Sequence, residues 1–160
     1  MREIASFRAF LKIRNHDSDK PVVFKVDGQR FNTSTKTVKL AIDAKYDLEV
    51  WTKPAQKLIS VQIGGSLVNV SPKPSEQGDA TYTGIWSTEN QQITQKGKRA
   101  DIMVTFMGEF GSIDYFLQSK FYGSVEVASQ MGDSLNSVAV NAHKDAEAGI
   151  FVASNDVEFL

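Results

Sequence analysis

Few residues in this chain are equipped for covalent or metal chemistry. It contains no cysteine and two histidines, His16 and His143. That excludes a disulfide scaffold, a thiol nucleophile, thiolate-bound zinc and cysteine-ligated iron–sulfur clusters. His16 stands in Asn15-His16-Asp17-Ser18-Asp19, a polar turn in which Asp17 and Asp19 offer oxygens to a hard cation. No glycine and distal glutamate follow in the register of a calcium loop, so no metal is expected there. His143 lies in a polar stretch and is expected at the surface. There is no nucleophile elbow, P-loop, HExxH or GxGxxG pattern, and Gly108-Glu109-Phe110-Gly111 lacks the glycine spacing that cradles phosphate. The expectation is a chain with no catalytic residues, no metal and no cofactor.

The charged and aromatic residues carry more information. A formal net charge of −1 gives no reason to expect duplex nucleic acid as a partner. That balance hides an asymmetry: residues 1–40 hold nine Lys/Arg against four Asp/Glu, and residues 41–160 hold nine against fifteen. On the first predicted strand, Arg8, Lys12 and Arg14 surround an outward Phe10. Further on, Lys25 and Arg30 are predicted directly opposite each other across a hairpin. Like charges so placed weaken a sheet unless an anion or a carboxylate lies alongside. Two readings follow. Asp47 or Glu49 on a neighbouring strand neutralises the cations, or the cations form a ledge for an acidic or phosphorylated peptide or for anionic lipid headgroups. Phe10, Trp51, Trp86 and Phe116 fall opposite the main apolar stripes of their strands. They are either covered by loops or a second sheet, or they anchor a partner segment. The ending Val157-Glu158-Phe159-Leu160 has the form of a peptide that adds a strand to a PDZ groove through Glu158, Phe159 and Leu160.

These residues must be positioned by strands. A chain of 160 residues reads as one domain spanning 1–160, large enough to bury a core. The longest apolar runs fall far short of a membrane-spanning helix, and the charged opening Met1-Arg2-Glu3 does not resemble a targeting segment. Period-two alternation places Phe7, Ala9, Leu11 and Ile13 on one face, then Tyr46, Leu48 and Val50, then Ile102, Val104 and Phe106, then Ile113, Tyr115, Leu117 and Phe121. Asp27-Gly28 predicts a two-residue turn that sets Lys25 against Arg30 and Phe24 against Phe31. Gly64-Gly65 predicts a second tight reversal, and Gly84 a bulge or a close backbone approach. The one helical candidate is Asn141 to Ala148. Ser71–Asp79 and Ser87–Arg99 read as long loops. The sum is an all-β, antiparallel barrel or sandwich of nine or ten strands with a filled interior.

Four segments, in order, carry a resemblance: Lys25-Val26-Asp27-Gly28-Gln29-Arg30-Phe31, Ile63-Gly64-Gly65-Ser66-Leu67-Val68, Tyr82-Thr83-Gly84 and Lys120-Phe121-Tyr122. Together they resemble the cannabinoid receptor-interacting protein family, densely from about Phe7 to Tyr122 and more thinly from Gly123 onward. The resemblance implies a β-barrel or sandwich similar to that of Rho GDP-dissociation inhibitors. It also implies a non-enzymatic cytoplasmic adaptor, held at the plasma membrane by its partner. That partner would be the cytoplasmic tail of a type 1 cannabinoid G protein-coupled receptor, whose signalling the adaptor damps. The alternative is a solubilising factor for a lipid or prenyl chain, which would need an apolar cavity. Expected partner-binding residues are Arg8, Phe10, Lys12, Arg14, Lys25, Arg30 and Trp51.

Overall fold

A computed structural model describes residues 4–73 and 81–160. The opening Met1-Arg2-Glu3 and the stretch from Pro74 to Asp79, read from sequence as part of a loop, lie outside them. Among the described residues the chain forms β1 (Ser6–Asn15), β2 (Val23–Val26), β3 (Lys36–Ala41), β4 (Lys45–Lys53), β5 (Leu58–Ile63), β6 (Ser66–Asn69) and β7 (Ser71–Lys73). It continues through β8 (Thr81–Ser87), β9 (Ala100–Gly108), β10 (Gly111–Tyr122), α1 (Val125–Ala128), β11 (Asp133–Ser134), β12 (Val138–Lys144) and β13 (Phe151–Phe159).

The strands form two sheets, ordered β13-β12-β1-β4-β8-β7 and β11-β2-β3-β10-β9-β5-β6. They are stacked as a sandwich, the second of the two expected forms, and no barrel closes. Every neighbouring pair is antiparallel except β3 and β10, which run parallel through Val38↔Ser119 to Ala41↔Tyr122. The alternating apolar residues of β1, β4, β9 and β10 meet between the sheets. Leu11, Leu48, Val50, Val104, Phe106 and Leu117 have no exposed surface. This dense interdigitation is what burying period-two faces from two layers requires.

Gly64 (φ +56) and Gly65 (φ +85) make the predicted reversal between β5 and β6. Gly84 marks a close approach. A Cβ there would lie 2.6 Å from Val68 Cγ1 and 2.9 Å from the Asn69 carbonyl oxygen, so β8 and β6 come together only because the side chain is missing.

Several expectations are corrected. Asp27-Gly28 is not a two-residue hairpin turn, because only Gly28 takes the positive φ that such a turn needs at both positions. β2 pairs with β3 instead, placing Lys25 opposite Thr37 and Phe24 opposite Val38. Asn141 to Ala148 is not helical. Residues 138–144 form β12, whose Val138 and Val140 point inward while Ala139 makes room for Phe10 across the sheet. Tertiary pairing thus overrides the local helix preference of alanine. The helix is α1, whose N-cap Ser124 accepts a hydrogen bond from the Val127 N–H. Trp86 faces inward and is wholly buried, paired across the sheet with Tyr46 at a ring separation of 5.8 Å. The outward apolar residue of that strand is Ile85.

The Gly84 contact makes a direct prediction. Gly84→Val should lower stability by about 1–3 kcal/mol through overpacking. Gly123→Ala, whose new Cβ would meet only Ile93 Cδ1 at 3.6 Å, should change it by less than about 0.5 kcal/mol. Thermal unfolding followed by circular dichroism checks this. Equal melting of Gly84→Val and the parent chain would show that the sheets separate there at no cost.

Candidate functional site

The expected site residues divide between the outer faces of the two sheets, and the two faces differ in how their charge is matched. On the first sheet, Arg8, Phe10, Lys12 and Arg14 alternate outward along β1. Phe10 stacks on Trp51 of β4 with centroids 5.2 Å apart and planes 4° apart. The Arg8 guanidinium and the Lys53 ammonium stand 5.2 and 5.9 Å from the centre of the Phe10 ring. Covered by these neighbours, Phe10 is buried although it points away from the core.

Carboxylates match the β1 cations along the strand. Arg8 Nη2 donates to Glu158 Oε2 at 2.5 Å. Lys12 lies opposite Glu49 in the β1–β4 register, and Arg14 lies opposite Asp47. Arg14 Nη1 is also 3.6 Å from Asp19 Oδ1, and His16 Nδ1 is 2.7 Å from Asp47 Oδ1. Each such surface pair contributes little stability. Together they leave this face locally near neutral.

Lys25 and Arg30 lie elsewhere, around the outer face of the second sheet. There Arg99 makes a bidentate pair with Asp27: Nη2 donates to Oδ1 at 2.9 Å and Nε to Oδ2 at 3.2 Å, and each side chain is only 4% exposed. Thr37 Oγ1 donates to the same carboxylate and accepts from Arg99 Nε at 2.9 Å and from Gln118 Nε2 at 3.0 Å. Gln118 reaches on to the loop, donating to the Ser34 carbonyl and accepting from the Ser34 N–H, both at 3.0 Å. This network holds the segment between β2 and β3, and with it Phe31, which lies 4.3 Å beneath the Arg99 guanidinium and 5.1 Å from that of Arg30.

Beside this pair the parallel register sets Lys39 next to Lys120. Both ammoniums stand over the Tyr122 ring, at 5.1 and 5.3 Å. Lys39 is buried and donates to the carbonyls of Gln130 and Met131 just beyond α1. Partial burial lowers the pKa of Lys25, Lys39 and Lys120, and repulsion lowers it further: from Arg99, Lys39 and Arg30 on Lys25, from Lys120 on Lys39, and from Lys25, Arg99 and Lys96 on Lys120. Burial alone would raise the pKa of Asp27. Hydrogen bonds from Arg99 and Thr37, with the guanidinium charge, outweigh that and hold it below the usual carboxylate range. Lys39, Arg99 and Lys120 were absent from the sequence-derived set.

The last residues are part of the first sheet. Glu158 holds Arg8, Phe159 meets Phe24 edge-on at 5.5 Å, the Leu160 N–H donates to Ser137 O at 2.8 Å, and the Leu160 carbonyl accepts from Asn136 N at 2.9 Å. An apolar cavity of about 200 Å³ lies between α1 and the start of β2, lined by Pro21, Val22, Val23, Tyr46, Val125 and Ala128. Among the described residues, no three His, Cys, Asp or Glu side chains group as a metal site. No helix there is long and apolar enough to cross a membrane.

Asp27→Asn, which strands the Arg99 guanidinium in a buried place, should cost about 3–5 kcal/mol. Because the folded-state pKa of Asp27 is depressed, its contribution is present above the ordinary carboxylate pKa and is lost as pH falls through the folded value. The parent chain should therefore lose stability on acidification over that window, and the variant should lack that part of the loss. Melting temperatures measured from neutral pH downward check both statements; parallel curves separated by a constant offset would contradict the pKa assignment.

Comparison with known proteins bears on the same framework. The family model for CB1 cannabinoid receptor-interacting protein 1 matches residues 4–158, from the edge of β1 through most of β13. The match thus continues past Tyr122, where the local motifs give out. CB1 cannabinoid receptor-interacting protein 1 of Mus musculus is 38% identical over 119 residues, 72% of each chain. That of Homo sapiens is 37% identical, and that of Bos taurus 36% identical, over the same shares. With the model covering both sheets and these identities sustained over most of each chain, this chain belongs to the CB1 cannabinoid receptor-interacting protein 1 family.

Proposed function

We propose that this chain is a non-enzymatic, cytoplasmic adaptor that binds the cytoplasmic tail of a type 1 cannabinoid-like G protein-coupled receptor and damps its signalling. Family membership carries the reading, because the relatives are named for interacting with the CB1 receptor. The mechanism is occupancy: a tail covered by the adaptor is closed to competing regulators. In this reading the protein is peripheral to the plasma membrane, held there by the receptor.

The packing favours recognition from outside. The side chains of both sheets fill the space between them. The cavity beside α1, at about 200 Å³, falls below the roughly 300–1,000 Å³ of ordinary small-molecule sites. Roomier surface pockets of about 400 and 670 Å³ are lined largely by polar and charged side chains, among them Asn32, Ser34, Arg14 and Glu49, which suits a lipid or prenyl chain poorly. A PDZ partner would have to peel Glu158, Phe159 and Leu160 away from Arg8, Phe24 and Ser137, so the receptor tail is the better-supported partner.

An immobilised receptor-tail peptide should retain the purified chain, and native mass spectrometry should give the mass of the polypeptide alone. A co-purifying acyl or prenyl mass, with no retention on the tail, would replace the adaptor by the carrier.

A further inference from the structure

We propose that the outer face of the second sheet around Lys25 and Lys120 is the docking surface for an acidic polypeptide segment of the partner. The assignment names the surface and the partner chemistry, and it rests on the receptor-tail reading for the identity of that partner.

Around Lys25 and Lys120, positive charge stands without a free counterion among the described residues. Lys25, Arg30, Lys39, Lys96, Arg99 and Lys120 repel one another across β2, β3, β10 and the loops beside them. The carboxylate felt by both Lys25 and Lys120 is Asp27, and it is already spent. Both of its oxygens are held by Arg99, with each side chain almost wholly out of water. Among the described residues neither Lys25 nor Lys120 has an ion pair, although both reach solvent. On β1, by contrast, Arg8 pairs with Glu158 and Arg14 lies 3.6 Å from Asp19, while Lys12 sits opposite Glu49, which Lys73 also holds at 3.3 Å. The basic excess of residues 1–40 is therefore neutralised on one sheet and left standing on the other.

A neighbouring carboxylate would offset the repulsion that, after burial, lowers the lysine pKa values. It would also recover Coulomb energy that solvent screens only in part at this half-buried surface. Geometry selects the kind of anion. Lys25 lies in the row of Thr37 and Gln118, and Lys120 in the next row beside Lys39, with β3 between them. Two strand spacings of about 4.8 Å and one step along the pleat spread the cations diagonally instead of converging them on a point. Several carboxylates along a segment suit that spacing better than one small oxyanion. Ile93, 58% exposed, stands in the loop ahead of β9 that Thr94 N–H ties to Phe121 O beside Lys120, and it gives an apolar side chain of such a segment a place to rest.

The test uses the whole chain and a dye-labelled peptide of alternating glutamate and leucine, with binding read by fluorescence anisotropy. Lys25→Glu combined with Lys120→Glu should weaken binding by about tenfold or more, and Lys45→Gln, at the exposed start of β4 on the other sheet, should leave it within about twofold. Raising salt should weaken binding by the parent chain. Melting temperatures of the variants confirm folding. Binding that is lost equally in Lys45→Gln, absent at low salt, or seen only with phosphatidylserine-containing vesicles would overturn the assignment. Retention of a receptor-tail peptide is measured in parallel. A parent chain that binds the acidic peptide through these lysines but ignores the tail upholds this surface and removes the receptor reading.

Discussion

A guanidinium and a carboxylate removed from water stabilise a fold only when each satisfies the other completely. Arg99 and Asp27 meet that condition through two parallel hydrogen bonds, with Thr37 donating to the carboxylate and Arg99 Nη1 donating to the Lys98 carbonyl. The arrangement ties three separate stretches together: the end of β2, the start of β3 and the approach to β9. It also explains why the chain between β2 and β3 runs as a long excursion across the sheet face. A two-residue turn at Asp27 would carry the carboxylate away from Arg99 and leave a buried cation unpaired.

The same pair divides the electrostatics of the molecule. By consuming Asp27 internally, it leaves Lys25 and Lys120 with no ion pair among the described residues, while Arg8, Lys12 and Arg14 have carboxylates beside them. Two surfaces of similar composition thus behave differently. One is a near-neutral lattice with a stacked Phe10–Trp51 pair at its centre, and the other is a positive field over Tyr122. A filled interior makes these exteriors the places where a family defined by receptor interaction can make contact.

What the sequence disclosed follows the range of the forces involved. Strands β1, β4, β9 and β10 were legible because each buries one face, and a period of two records that burial residue by residue. The β5–β6 reversal was legible because Gly64-Gly65 encodes it locally. β12 was hidden because Ala139 and Ala142 look helical until Phe10 and Phe7 are known to lie across from them. β13 was hidden because its centre, Ser154-Asn155-Asp156, is polar and its pairing slips between Val140 and Ala142. Of the basic surface, Lys25 and Arg30 showed themselves through local charge. Lys39 and Lys120 become neighbours only through the parallel pairing of β3 with β10, a long-range choice that neither segment records by itself.

The placement of β1 has a consequence for how the molecule is made. The strand is translated long before β12, which takes one of its two edges. Until then β1 can pair laterally with β4 alone, and its other edge is an open hydrogen-bonding rim. Closure of the first sheet is therefore a late event set by non-local contacts, and the nascent chain must stay soluble through that interval with an apolar ribbon half-dressed.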